Sequence, residues 1–434
     1  MEACENKTGN VFLNRNYRLV FFGALVSELG AVLYSFAVGF YLLEISDNNA
    51  VLQGSYLALC GVTLLLVTPL GGVLGDRRHK AKIMFVCDYL RGGGILLATL
   101  GLLVLPESRA QIVILFVAGI LGNAIGGIFS PAAGALLPHI VEEEQLQQAN
   151  AYFSMRSALQ SILGVVLAGV LYALLPIALL FVVVGVCYVL SGVSEMFIRY
   201  EHKVSDEKMT LRLVLTDMRD GLRYLNTQRA ILAIMAGALF INFFFSPVAS
   251  NFVPYFIKTD VAGAPGYLFD RLLTPELWSS VFSVLIALSS LVAAGILSAR
   301  PQADKCGYKV ALRIGAMSCV MIALALGYWL LVARGVSLNA FLLLFALGCV
   351  LVGFLVSMIN IPMNTAMMRV VDKGMLSKVS SIISVLSQGL VPISSVLAGL
   401  VLQYLGSAWL LAGGALGLTV TSLVLLGSRH IREI

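Results

Sequence analysis

Few residues in this chain of 434 can do proton or charge chemistry, and those that can stand in apolar surroundings. Glu28 is flanked by Leu25, Val26, Leu29 and Val32, with no basic residue within a helical turn. Placing an ionised carboxyl in such a segment costs roughly 3 kcal/mol on insertion scales, so it marks a functional site by default. The chemistry that suits it is uptake and release of a proton. The competing reading is a protonated Glu making a structural hydrogen bond between helices. Asp88 is the second candidate for proton coupling. It lies three residues before Arg91, a spacing that lets the two pair on one helix face as a neutral structural unit. Arg156 is expected to reach the aqueous interface along its own aliphatic stem. Glu44 and Glu195 stand near the ends of apolar runs and are expected to be wet.

The same inventory argues against other chemistries. The histidines at 79, 139, 202 and 430 fall in or beside charged segments, so no Ser–His pair can be assembled at depth. Cysteines at 4, 60, 87, 187, 306, 319 and 349 have no metal-ligand spacing and are expected to act as small apolar residues. No Gly-x-x-x-x-Gly-Lys phosphate loop is present. The expectation is a protein with no metal, no cofactor and no enzymatic activity, energised by a gradient rather than by ATP.

The elements that must position these groups follow from composition. The chain is 59% hydrophobic and only 12% charged, against about 25% charged in soluble domains. The apolar runs are long enough to cross a bilayer as helices. Twelve spans are predicted, at 19–43, 51–74, 83–105, 111–136, 149–174, 177–198, 230–257, 277–299, 310–333, 339–365, 379–404 and 408–427. The fold class is therefore all-α and membrane-spanning. Residues 1–198 are predicted to form one six-helix bundle and 230–434 another, joined by a cytoplasmic linker over 199–229. Leu211, Val214, Leu215, Met218, Leu222 and Leu225 recur in that linker at helical spacing and predict an interfacial amphipathic helix.

Basic residues give the orientation. With the N-terminus inside, the outside segments hold only Arg109, Lys258, Arg271 and Arg334. Arg91 and Arg156 lie within spans, and the remaining Lys and Arg fall inside. That asymmetry predicts both termini in the cytoplasm. The polar N-terminal segment Met1 to Arg18 does not read as a cleaved signal peptide. The net charge of +6 is spread over short loops and does not point to nucleic acid.

The halves echo each other. Val166-Leu167-Ala168-Gly169-Val170 matches Val396-Leu397-Ala398-Gly399-Leu400, and Ser130-Pro131 matches Ile361-Pro362. Duplicated transporter halves show repeats of this kind, with the substrate site near midplane.

The segment Gly72-Val73-Leu74-Gly75-Asp76-Arg77-Arg78-His79-Lys80-Ala81-Lys82 resembles the Gly-x-x-x-Asp-Arg-x-Gly-Arg-Arg signature of the major facilitator superfamily. His79 stands at a Gly of the signature and Ala81 at a basic position. Ser130-Pro131-Ala132, Leu137-Pro138, Glu144-Gln145-Leu146 and Ala149-Asn150 are similar to the macrolide-efflux and enterobactin-exporter branch, as are Asp220 to Leu225, Asn242, Pro247 and Pro254. The resemblance implies two six-helix bundles rocking about a central cavity. It implies a gating motif at Gly72, Asp76, Arg77 and Lys80, whose charges pair when the inside is closed. The second half keeps Arg300 but has Ala299 where an acid would stand, so the gate is asymmetric. The family's antiporter motif is reduced here to Gly164-Val165 and Ala168-Gly169.

Spans 1, 4, 7 and 10 line the cavity in that family. They place Tyr34, Ser35, Asn123, Asn242, Phe245, Ser357 and Asn360 as substrate-cavity candidates. Span 10 carries Gly353, Ser357, Asn360 and Asn364 on one face, and span 4 carries Asn123, Gly127 and Ser130. Small and polar residues also serve as packing surfaces between membrane helices, which is the competing reading of these stripes. A mostly apolar pocket with a few hydrogen-bonding groups suits an amphipathic organic molecule. The expected function is proton-coupled efflux of such a compound, macrolide-like or related, by a monomer in a bacterial cell membrane. Sodium is the other candidate coupling ion. A lysophospholipid flippase-like carrier, a siderophore exporter-like carrier and, more remotely, an intramembrane enzyme are the alternatives.

Overall fold

The computed structural model describes residues 10–142, 145–199, 223, 229–264, 266–271, 273–298, 307–335, 337–370 and 386–427. Among them every regular element is helical. After a short 3-10 turn at Val11–Leu13 come α1 (Arg15–Ile45), α2 (Ala50–Arg77), α3 (Lys80–Val104), α4 (Ser108–Ile140), α5 (Leu146–Leu174) and α6 (Ile177–Met196). The second set is α7 (Arg229–Pro247), α8 (Pro275–Ser298), α9 (Gly307–Arg334), α10 (Leu338–Val370), α11 (Val391–Tyr404) and α12 (Ser407–Gly427). Twelve helices are long and apolar enough to cross a membrane, in the order and at nearly the positions the apolar runs predict. The linker helix expected over 211–225 lies outside the described residues, apart from Arg223.

Beyond α7 the chain continues as π-turns at Val248–Phe252 and Ile257–Val261 around one α-turn, Val253–Phe256. Pro247 and Pro254 each remove a backbone N–H, and the hydrogen-bond ladder resettles in the wider π register beside them.

Two compact units make up the chain, Met1–Ala37 with Thr63–Val214 and Val38–Val62 with Leu215–Ile434. In the first, α3 packs against α6 and α4. Gly92 and Gly185 let α3 and α6 close up: a Cβ at Gly92 would stand 2.9 Å from the Gly185 carbonyl oxygen. Helix α1 lies along α6 through Leu19 and Gly23, which with Ser27 recur every four residues and so share one face. Ser194 donates to the Leu19 carbonyl at 3.1 Å and Ser191 to the Gly23 carbonyl at 2.8 Å. At one end of this unit Asn14 donates to the Ile140 carbonyl at 2.6 Å, and Tyr17 to that of Ala149 at 3.1 Å.

In the second unit α9 packs on α12 and α10, and α8 on α10. Serine hydroxyls again bridge helices: Ser422 to the Ala311 carbonyl at 2.8 Å, and Ser290 to that of Gly353 at 2.8 Å. Six rings, Phe252, Phe256, Phe282, Tyr328, Phe341 and Phe345, pack together, with Phe282 and Phe345 centred 4.7 Å apart. The connection between α1 and α2 belongs to this unit because glycines admit it. A Cβ at Gly54 would overlap the Ser395 carbonyl, and one at Gly399 would lie 3.1 Å from Val51 Cα. Gln403 then accepts from the Ala50 N–H at 2.9 Å.

Candidate functional site

Buried charge concentrates in the first unit. Glu28, on α1, does not stand alone as its local sequence suggests. Arg156 of α5 donates to its Oε1 at 2.8 Å. Arg156 does not reach water along its stem either: its side chain is 2% exposed, with the guanidinium 3.7 Å above the Phe153 ring. The reason is energetic. A guanidinium held among helices is tolerated when a carboxylate and a π-face offset part of its desolvation. Glu28 remains 29% exposed. Its Oε2, and Nε and Nη1 of Arg156, have no hydrogen-bond partner among the described residues.

A second cluster lies among α1, α3 and α6. Asp88 is sealed from solvent, accepts from Ser27 at 3.1 Å and stands 3.8 Å from Arg91, the pairing its spacing predicts. Arg91 Nε also donates to the Gly122 carbonyl at 3.3 Å, and its guanidinium lies over Phe129 and Tyr188. Gly126 makes room for it, since a Cβ there would overlap Nη2 of Arg91. Glu195, expected to be wet at the end of its span, is instead fully buried. Helix α1 covers it at Gly23, where a Cβ would lie at van der Waals distance, 3.5 Å, from Glu195 Cγ.

The gating motif falls at a helix junction. Gly72, Asp76 and Arg77 are in the last turns of α2, and their side chains lie outside the described residues. Lys80 begins α3 and is buried.

The expected cavity residues divide between the units. In the first, Tyr34 is buried against Phe181 with ring centroids 5.3 Å apart, Ser35 is exposed, and Asn123 donates to the Gly119 carbonyl of its own helix at 2.9 Å. In the second, Asn242 donates to the Ser387 carbonyl at 3.2 Å, Ser357 is half-buried and Asn360 exposed. Phe245 lines a cavity of about 60 Å³ with Ser283, Phe345 and Cys349. That holds a few waters at most, well below the several hundred Å³ of a drug-sized site. Two members of the polar stripes serve helix contacts. A Cβ at Gly353 would overlap the Ile286 carbonyl, and one at Gly127 would stand 3.1 Å from the Thr68 nitrogen. Among the described residues no group of three or more His, Cys, Asp or Glu is placed to hold a metal ion.

Twelve helices long and apolar enough to cross a bilayer, with charge buried among them, define a polytopic α-helical membrane fold. Residues 20–395 match the profile of the Major Facilitator Superfamily, and the chain belongs to that family. It is 23% identical to the uncharacterized MFS-type transporter YkuC of Bacillus subtilis, over 54% of this chain and 55% of that one, so the match spans about half of each. It is 25% identical to macrolide efflux protein A of Streptococcus pyogenes, over 65% of this chain and 72% of the relative. Among solved structures, that of a bacterial homologue of the iron transporter ferroportin, in an inward-facing state, superposes with a TM-score of 0.70. It covers 95% of this chain and 99% of that one at 16% identity, a likeness of fold.

Proposed function

We propose that this transporter exports an amphipathic organic compound and is driven by proton uptake at Glu28. The observation that supports this reading is the Glu28–Arg156 pair: a partly exposed carboxyl in a span, with one oxygen held by a buried guanidinium and the other unpartnered among the described residues. Such an acid has two defined states. Ionised, it is neutralised by Arg156. Protonated, it gives up the ion pair and Arg156 carries the charge. Loading and unloading that proton on opposite sides of the membrane couples the gradient to the conformational cycle. The similarity to macrolide efflux protein A supports an amphipathic, macrolide-like cargo. The Asp76 charge, amid Arg77, Arg78 and Lys80, holds the inner gate closed in the appropriate half of the cycle.

The test is transport in proteoliposomes with an imposed proton gradient, using a macrolide antibiotic and a hydrophobic cation as probes. Glu28→Gln keeps size and hydrogen bonding but removes titration. It is expected to retain downhill exchange while losing uphill accumulation and sensitivity to an uncoupler. Uphill, uncoupler-sensitive transport by Glu28→Gln would overturn the assignment and make Asp88 the next acid to examine. Asp76→Asn is expected to fold normally and transport slowly.

A further inference from the structure

We infer that Pro362 is a hinge of α10 in the transport cycle, and that Arg313 of α9 is the positioning residue that lets it turn. In an α-helix each carbonyl accepts from the N–H four residues further on. Proline has no N–H to give. Pro362 lies inside α10, so the Met358 carbonyl, four residues before it, loses its α-helical donor. A backbone group freed in this way within a membrane span has to be satisfied from a neighbouring helix. Arg313 does so: its Nη1 donates to the Met358 carbonyl. A hydrogen bond from a guanidinium is charge-assisted and stronger than the amide bond it replaces.

The position of Arg313 makes this contact informative. It is the seventh residue of α9, roughly 9 Å along the helix at the usual rise. A basic side chain at that depth can run back along its own helix to water. This one is half-buried and reaches across to α10, which packs against α9. The matched proline of the first unit is handled differently. Pro131, in α4, frees the Gly127 carbonyl by the same geometry. There α2 closes in at Gly71, where a Cβ would overlap that carbonyl. A glycine offers it no side-chain donor, only a weak C–H contact that holds in one position. Arg313 differs because its donor sits on a long stem with several rotatable bonds. The guanidinium can follow the Met358 carbonyl while the turns on either side of Pro362 change their angle. Proline is also where helices kink. Pro362 and Arg313 together therefore allow α10 to bend without stranding a carbonyl in the membrane.

The test is a double-mutant cycle on the full chain in lipid nanodiscs, read by thermal unfolding and by hydrogen exchange across residues 355–370. Arg313→Met keeps the stem and removes the donors. It is expected to lower the melting temperature and to speed exchange of the amides flanking Pro362 about tenfold, the equilibrium factor of one such bond. Arg313→Lys keeps a charged donor and should recover part of both losses. Pro362→Ala restores an N–H at position 362 and should slow the same exchange below that of the parent. In that background Arg313→Met should change little in either reading, because Met358 then has a donor from its own helix. Neither reading needs a cargo, so the outcome stands apart from the role proposed for Glu28. In proteoliposomes, Pro362→Ala should lower the maximal rate several-fold with KM unchanged, since a stiff α10 slows the cycle without touching cargo binding. An equal loss from Arg313→Met in both backgrounds would overturn the role of Arg313. Exchange in Pro362→Ala no slower than in the parent, or an unchanged maximal rate, would overturn the hinge. Should Arg313→Met not fold alone, recovery of folding in the Pro362→Ala background supports the proposal and failure there overturns it.

Discussion

The first unit packs three acids and two guanidinium groups among its helices: Glu28, Asp88, Glu195, Arg91 and Arg156. The second packs six aromatic rings at its centre and groups its described ion pairs around Lys258. The two interiors respond to different variables. A buried ion pair changes state when a proton arrives or a partner leaves, so the stability of the first unit is expected to respond to pH. A ring cluster has no protonation state near neutrality, and its free energy depends on shape and packing density. Ionisable side chains thus dominate the described interior of the first unit and aromatic rings that of the second, where one acid, Asp260, accepts from Tyr328 of the cluster at 3.0 Å. Four substitutions probe this division.

The largest effect is expected from Arg156→Met. It leaves the Glu28 carboxylate without its cation, and losing one partner of a buried pair costs about 3–5 kcal/mol. Thermal unfolding of the detergent-solubilised protein measures this. Adding Glu28→Gln should recover much of the loss, since the stranded charge then disappears. A loss no larger than that of a surface pair, about 1 kcal/mol or less, would show that water reaches the site and would weaken the contrast between the units.

Phe345→Ala is expected to follow. Phe345 is almost fully buried and touches Phe252, Phe256, Phe282 and Phe341. Removing a ring from such a core costs about 3 kcal/mol. Unlike the loss at Arg156, this one should not change with pH between mildly acidic and mildly alkaline buffers. A pH-dependent loss would show that Asp260, to which Tyr328 donates, is coupled to the packing of the rings.

Gly353→Ala comes next, at about 2 kcal/mol, the usual scale of overpacking. The added methyl would meet the Ile286 carbonyl, which is backbone and cannot rotate aside. Melting temperature reads this directly. An unchanged value would mean that α8 and α10 can separate at no cost, and Gly353 would return to the set of cavity-lining candidates.

How much of this was legible in the sequence follows from the range of each interaction. The spans were legible because length and hydropathy are local properties, and α1 to α12 fall on the predicted runs. The Asp88–Arg91 pair was legible because three residues on one helix fix a distance. Glu28 and Arg156 are 128 residues apart, and nothing local couples them. Glu195 has the sequence signature of a wet helix end, and its burial depends on packing with other helices, α1 at Gly23 among them. The stripes on spans 4 and 10 were visible as periodicity. Periodicity places residues on a face without saying what the face meets, and Gly127 and Gly353 meet neighbouring helices. The second unit's ring cluster is assembled from α8, α9, α10 and the π-turned continuation of α7, and no single span announces it.

The smallest effect is expected at Lys258, and it is the sharpest comparison because the geometry repeats that of Arg156. Lys258 Nζ lies 2.9 Å from Glu44 and 3.3 Å from Glu276, distances close to the 2.8 Å of the Arg156–Glu28 pair. The surroundings differ. The Glu44 side chain is 54% exposed against 29% for Glu28, and Lys258 13% against 2% for Arg156, while Glu276 is 15% exposed. Water therefore already solvates one partner and can take over when the ammonium is removed. Lys258→Met should cost less than about 1 kcal/mol, the ordinary value of an exposed pair. Raising the salt concentration should shrink even that, because ions screen exposed charges and leave buried ones nearly untouched. Measured side by side in low and high salt, Lys258→Met and Arg156→Met should diverge: the first loss fades and the second persists. If both fade, the charge in the first unit is not shielded from solvent, and the contrast between the units rests on composition alone. If neither fades, the Lys258 cluster is as enclosed as the Glu28 site, and the second unit holds protected charge of its own.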